Sequence, residues 1–98
     1  MTKEEFVTKG KGLLNQVTPE FNSTSQMSTR VKEESKSVYQ NKLAELKSHK
    51  EKLEGLVREA EYTAEDKWEG VRSRLEYGFN DSVQKVPLIL QALKQTYV

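Results

Sequence analysis

From Ser28 to Tyr62 the chain has no proline and a single glycine, Gly55, and Lys, Glu, Leu, Gln and Ala dominate, all good helix formers. This stretch reads as one long helix. Tyr39, Leu46, Leu53 and Ala60 recur every seven residues, while Leu43, Val57 and Ala64 fill the interleaved series, with Lys50 its one polar interruption. A stripe this narrow is of coiled-coil type and closes only against another helix. Lys47 with Glu51, Lys50 with Glu54, and Glu54 with Arg58 are spaced to pair on the solvated side, each worth about 0.2–0.5 kcal/mol.

At Thr63 the phase changes. The seven-residue series would next demand Lys67, whereas the large apolar residue is Trp68, one position late. Either a continuous helix absorbs a stutter, or the chain turns near Tyr62, with Thr63 and Asp66 capping a second helix. Near-equal arms, residues 28–62 and 63–98, each about 50 Å long at 1.5 Å per residue, favour the turn and an antiparallel hairpin. The second arm carries Ala64, Trp68, Val71, Leu75, Phe79, Val83, Val86, Leu90, Leu93 and Tyr97 at spacings of three and four. Pro87 predicts a kink or a fresh helix start just before it, with Asn80 or Asp81 as the cap.

Before the arms, Thr2 and Glu5 form a capping-box pattern, and Phe6, Gly10, Leu13, Leu14 and Val17 follow at helical spacing. Residues 3–17 are therefore expected as a short helix, weakened by Gly10 and Gly12 and dependent on docking. Pro19 could restart a helix, but Asn22-Ser23-Thr24-Ser25-Gln26 competes for backbone hydrogen bonds, which predicts a linker over 18–27. The expected fold is all-α: a single domain over 1–98, a short N-terminal helix followed by a long antiparallel coiled-coil-type hairpin, pairing into a helical bundle.

A chain of 98 residues with 35% hydrophobic and 32% charged content has little core from which to build a deep enzyme pocket. It has no Cys, hence no disulfide framework and no thiol chemistry. Sixteen basic against fifteen acidic side chains give a net charge of +1, far from the basic excess that phosphate-backbone binding needs. Residues 1–50 carry nine basic and six acidic side chains, residues 51–98 seven and nine, an asymmetry that suits helices pairing with one another better than nucleic acid. The start, Met1-Thr2-Lys3-Glu4-Glu5-Phe6, lacks the basic and then apolar pattern of a signal peptide. The apolar cluster from Val86 to Leu93 falls short of the about 20 residues of a membrane span, so a cytoplasmic location is expected.

Candidate sites are few. His49, the one histidine, lies four residues after Glu45, a pair able to give two ligands to a metal bridged between chains, but no second such pair exists. Trp68, Tyr62, Tyr77 and Phe79 resemble an aromatic platform, yet spacing makes Trp68 and Phe79 core. Carboxylates alternate with Lys and Arg, so no acid and base pair tuned by burial stands out. Gly10-Lys11-Gly12 lacks the strand and the Lys-Ser/Thr of a phosphate loop. No catalytic, cofactor-binding or metal-ligating residue is assigned, and the chain is expected to act by binding.

Apolar side chains at both ends of the chain give that expectation its content. Leu43, Leu46, Leu53, Leu56, Val57, Trp68, Val71, Leu75 and Phe79 form the expected packing seam. Leu88, Ile89, Leu90, Leu93 and Tyr97 form a surface for another chain to cover. Phe6, Val7, Leu13 and Leu14 add a second apolar end. Self-association into a four-helix bundle comes first, together with binding of another protein. The alternative is an amphipathic lipid- or granule-surface binder of the apolipoprotein or phasin kind, against which the mixed signs of the charges argue.

The segments Tyr39-Gln40-Asn41-Lys42-Leu43-Ala44-Glu45-Leu46-Lys47 and Ala64-Glu65-Asp66-Lys67-Trp68-Glu69-Gly70-Val71-Arg72 resemble a family of small uncharacterised bacterial Lys/Glu-rich coiled-coil proteins. The resemblance covers roughly residues 39–80. Trp68 and Leu75 fall on family positions, and Phe79 stands near the family's second Trp. It implies a non-enzymatic helical protein, sometimes linked to stress or to the cell envelope, and carries over no catalytic or ligand residue.

Overall fold

The structure, a computed structural model, describes residues 1–96. Among them the chain forms α1 (Lys3–Met27), α2 (Lys36–Tyr62) and α3 (Trp68–Thr96), with short 3₁₀ turns at Ser28–Arg30, Glu33–Ser35 and Glu65–Lys67. The Cα atoms fill an envelope of 53 × 18 × 15 Å. The helices run up, down and up. Lys11 meets Glu61 at 3.1 Å and Tyr39 Oη donates to the Thr24 carbonyl at 2.6 Å, which sets α1 antiparallel to α2. Trp68 Nε1 donates to the Met1 carbonyl at 3.1 Å and Lys94 approaches Glu20 at 3.6 Å, which sets α1 parallel to α3.

The expected hairpin is present, and its turn lies where the heptad phase breaks. Thr63 takes a different role from the one expected: extended at ψ 129°, it ends α2, its hydroxyl donating to the Glu59 carbonyl at 2.7 Å. Ala64, extended at ψ 147°, precedes the turn into α3. A buried core of Leu46, Leu53, Val57, Ala60, Trp68, Leu75 and Phe79 closes the hairpin, and Leu43, Leu56 and Val71 pack half-buried against it. Lys50, the polar interruption, holds its ammonium 6.0 Å from the Phe21 ring centroid and 3.3 Å from Glu54.

The N-terminal region corrects the expectation. The short helix over 3–17 and the linker over 18–27 are one helix, and the connection falls later, at residues 28–35. Tertiary contact overrides local preference here. Thr24 is buried, its hydroxyl donates to the carbonyls of Glu20 and Phe21, and its own carbonyl takes the Tyr39 hydroxyl, so the polar run is held as helix from both sides. The first long arm accordingly starts at Lys36 instead of residue 28, and Val31 plugs the core from within the connection.

α3 likewise continues through Pro87, with no new start and with Asn80 and Asp81 inside the helix instead of capping one. Pro19 and Pro87 both sit on exposed positions. The carbonyls left without a donor, one turn back at Asn15 and Val83, belong to exposed residues.

α1 is the third wall of the bundle, docked along its length. The Thr2–Glu5 capping box forms as expected, with both reciprocal hydrogen bonds in place. Phe6 is fully buried, its ring 5.6 Å from Trp68 and 5.7 Å from Phe79 by centroids, the latter edge-on. Val17 and Thr24 continue the buried stripe toward the α3 residues Val86, Ile89 and Leu93. Apolar side chains from the two ends of the chain thus cover each other.

Candidate interaction face

Of the five residues expected to await another chain, Ile89 and Leu93 are buried core and Leu90 packs half-buried against it. Their spacing with Val86 places them on the inner stripe of α3, facing α1 and α2. Leu88 is the one left open, at 65% exposure, while Tyr97 lies outside the described residues. Tyr62 and Tyr77 are 85% and 80% exposed. Val38, not singled out in the sequence, is 55% exposed on α2.

Leu88 projects beside a groove of about 420 Å³ between α2 and α3, lined by Lys42, Glu45, Ser48, His49, Lys85 and Ile89. Antiparallel register builds it. His49 Nδ1 shares a 2.9 Å hydrogen bond with Ser82 Oγ, and Lys52 meets Asp81 at 2.9 Å one turn away. Lys85 reaches the other Asp81 oxygen at 3.0 Å, and Lys42 pairs with Glu45 at 3.3 Å. Hydrogen bonds from Lys52 and Lys85 hold the Asp81 carboxyl down at about 2. Burial, reinforced by Lys52 and Lys85, holds the His49 imidazole below its ordinary range, so it is neutral at neutral pH.

The flank toward α1 differs. There Lys50, Glu61 and Lys94 are engaged with Phe21, Lys11 and Glu20. A further shallow groove of about 590 Å³ follows the outer side of α3 along Pro87, Leu90, Gln91, Lys94 and Gln95. At the opposite end of the hairpin, Arg74 clamps Glu59 through both guanidinium nitrogens, and that bonding lowers the Glu59 carboxyl.

Ser82 is fully buried, so its pairing with His49 positions the imidazole and does not offer a nucleophile to solvent. Every buried side-chain nitrogen and oxygen among the described residues has a hydrogen-bond partner. Glu45 and His49 share one flank of α2 as their spacing predicts, but no group of three or more His, Cys, Asp or Glu among the described residues is placed to hold a metal ion. No described helix is long and apolar enough to cross a membrane. No protein-family model, curated protein or solved structure matches this chain.

Proposed function

We propose that this protein is a non-enzymatic helical interaction module that binds another helix, from a second copy or from a different protein, through the outer face of α2 and the C-terminal half of α3. One observation carries the reading: three helices close a complete core, yet Leu88 and Val38 remain largely exposed on that face. A large aliphatic side chain left outside a satisfied core gains its burial only from a partner. The resemblance over residues 39–80 implies the same kind of role.

A photo-crosslinking amino acid placed at Leu88 tests it, with the exposed α1 position Asn15 as the comparison. A discrete adduct of defined mass from position 88 in cells, with none from position 15, is expected. Equal, diffuse labelling from both positions would refute the assignment of this face.

A further inference from the structure

We infer that the outer α2–α3 groove receives an acidic amphipathic helix of another protein. The inference rests on the reading of this face as an interaction site and adds the chemistry of the partner. Lys42, Glu45 and His49 of α2 and Lys85 and Leu88 of α3 line the groove. The same spacing of four and three extends the α2 row back to Val38 and the α3 row to Asp81 and Ala92. This is the spacing of a helix-packing seam, here presented by two neighbouring helices on a side that no other helix of the described residues covers. The α2 row runs about 17 Å at 1.5 Å per residue, enough for about three turns of a docked helix.

Charge selects the occupant. Lys42, Lys52 and Lys85 face Glu45 and Asp81, and Asp81 already accepts from two of those lysines. From Ser82 to Thr96, α3 carries Lys85 and Lys94 and no carboxylate. The groove therefore keeps a cationic excess around its apolar residues, and protonation of His49 would add to it. A helix with leucines toward Leu88 and Val38 and carboxylates toward Lys42, His49 and Lys85 matches both features. A second copy docking groove to groove would bring two faces with the same excess charge together. A lipid surface requires a broad apolar face, whereas this one is concave and lined mostly by polar side chains.

The test uses a labelled helical peptide of about 15 residues, leucine at heptad positions and glutamate on the flanks, against a twin with lysine flanks, followed by fluorescence anisotropy. The glutamate peptide should bind and the lysine peptide should not. Because a carboxylate beside His49 favours the imidazolium, affinity should rise from about pH 7.5 to about pH 6, and His49→Gln should remove that rise. The double variant Lys42→Glu with Lys85→Glu, on exposed or half-exposed side chains and checked for unchanged helicity, should weaken the glutamate peptide about tenfold or more and admit its twin.

Equal binding of the two peptides, or binding of neither, overturns the inference. So does a dimer in sedimentation that Leu88→Asp dissociates, or pelleting with phosphatidylglycerol vesicles that Leu88→Asp abolishes. A Leu88-dependent dimer would still leave the face an interaction site. If Leu88→Asp alters neither peptide binding nor sedimentation nor pelleting, the interaction reading falls with the inference.

Discussion

Gly10 and Val57 mark a close approach of α1 to α2: a methyl group on Gly10 would lie 2.5 Å from Val57 Cγ2. Valine in a helix has one strongly preferred rotamer, so this γ-methyl cannot swing away at low cost. Gly10→Ala is expected to destabilise the fold by about 1–3 kcal/mol through overpacking, even after the gain in helix propensity. Gly12, with open space around it, makes the opposite case: Gly12→Ala should stabilise by up to about 1 kcal/mol. Urea midpoints of the two variants should move in opposite directions.

Leu53 is fully buried at the centre of α2, with no exposure to water. Leu53→Asp would place a carboxylate without a partner in that core, a cost larger than a small bundle can absorb. Loss of cooperative thermal unfolding on circular dichroism is the expected result. A helical signal and midpoint like those of the parent chain would refute the packing seam.

Tyr39 Oη reaches the Thr24 carbonyl at 2.6 Å from a fully buried ring. Tyr39→Phe keeps the ring and removes the donor, so a loss of about 1–3 kcal/mol is expected, the usual cost of stranding a buried carbonyl. Hydrogen exchange should quicken first over residues 20–27, where α1 relies on this bond. A uniform change along α1 would argue against that role.

Stability should depend on pH in two separate windows. The folded chain disfavours His49 protonation, so its contribution is fully present above the unfolded imidazole value of about 6.5 and is lost as pH falls through it. Asp81, held at about 2, contributes above the ordinary carboxylate range and loses that contribution as pH drops from about 4 toward 2. His49→Gln should flatten the denaturation midpoint between about pH 7 and 5 and leave the acid limb intact. Asp81→Asn should do the reverse.

The hairpin could be read from the sequence because a heptad series carries its own phase, and a slip of one residue between Lys67 and Trp68 is a topological signal. The C-terminal half of α1 could not. Asn22 to Gln26 has the composition of a loop, and what makes it helical is the arrival of Tyr39 at Thr24, a contact set by how α1 lies on α2. The same holds at the candidate site. Spacing sets His49 one turn after Glu45, but its pairing with Ser82 and the convergence of Lys52 and Lys85 on Asp81 depend on antiparallel register, which no local pattern states. Leu88 was identified as apolar surface, whereas Ile89 and Leu93, from the same run, turned inward because α1 supplies the wall that two arms alone would lack.

The contact of Phe6 with Trp68 gives the molecule a built-in optical reporter. The only tryptophan stands at the start of α3, far along the chain from α1, and its burial is completed by a ring from the first turns of α1. Its emission therefore registers whether the first helix has closed over the hairpin, separately from whether the hairpin itself has formed, so the order in which three walls assemble becomes a matter of timing one signal against another.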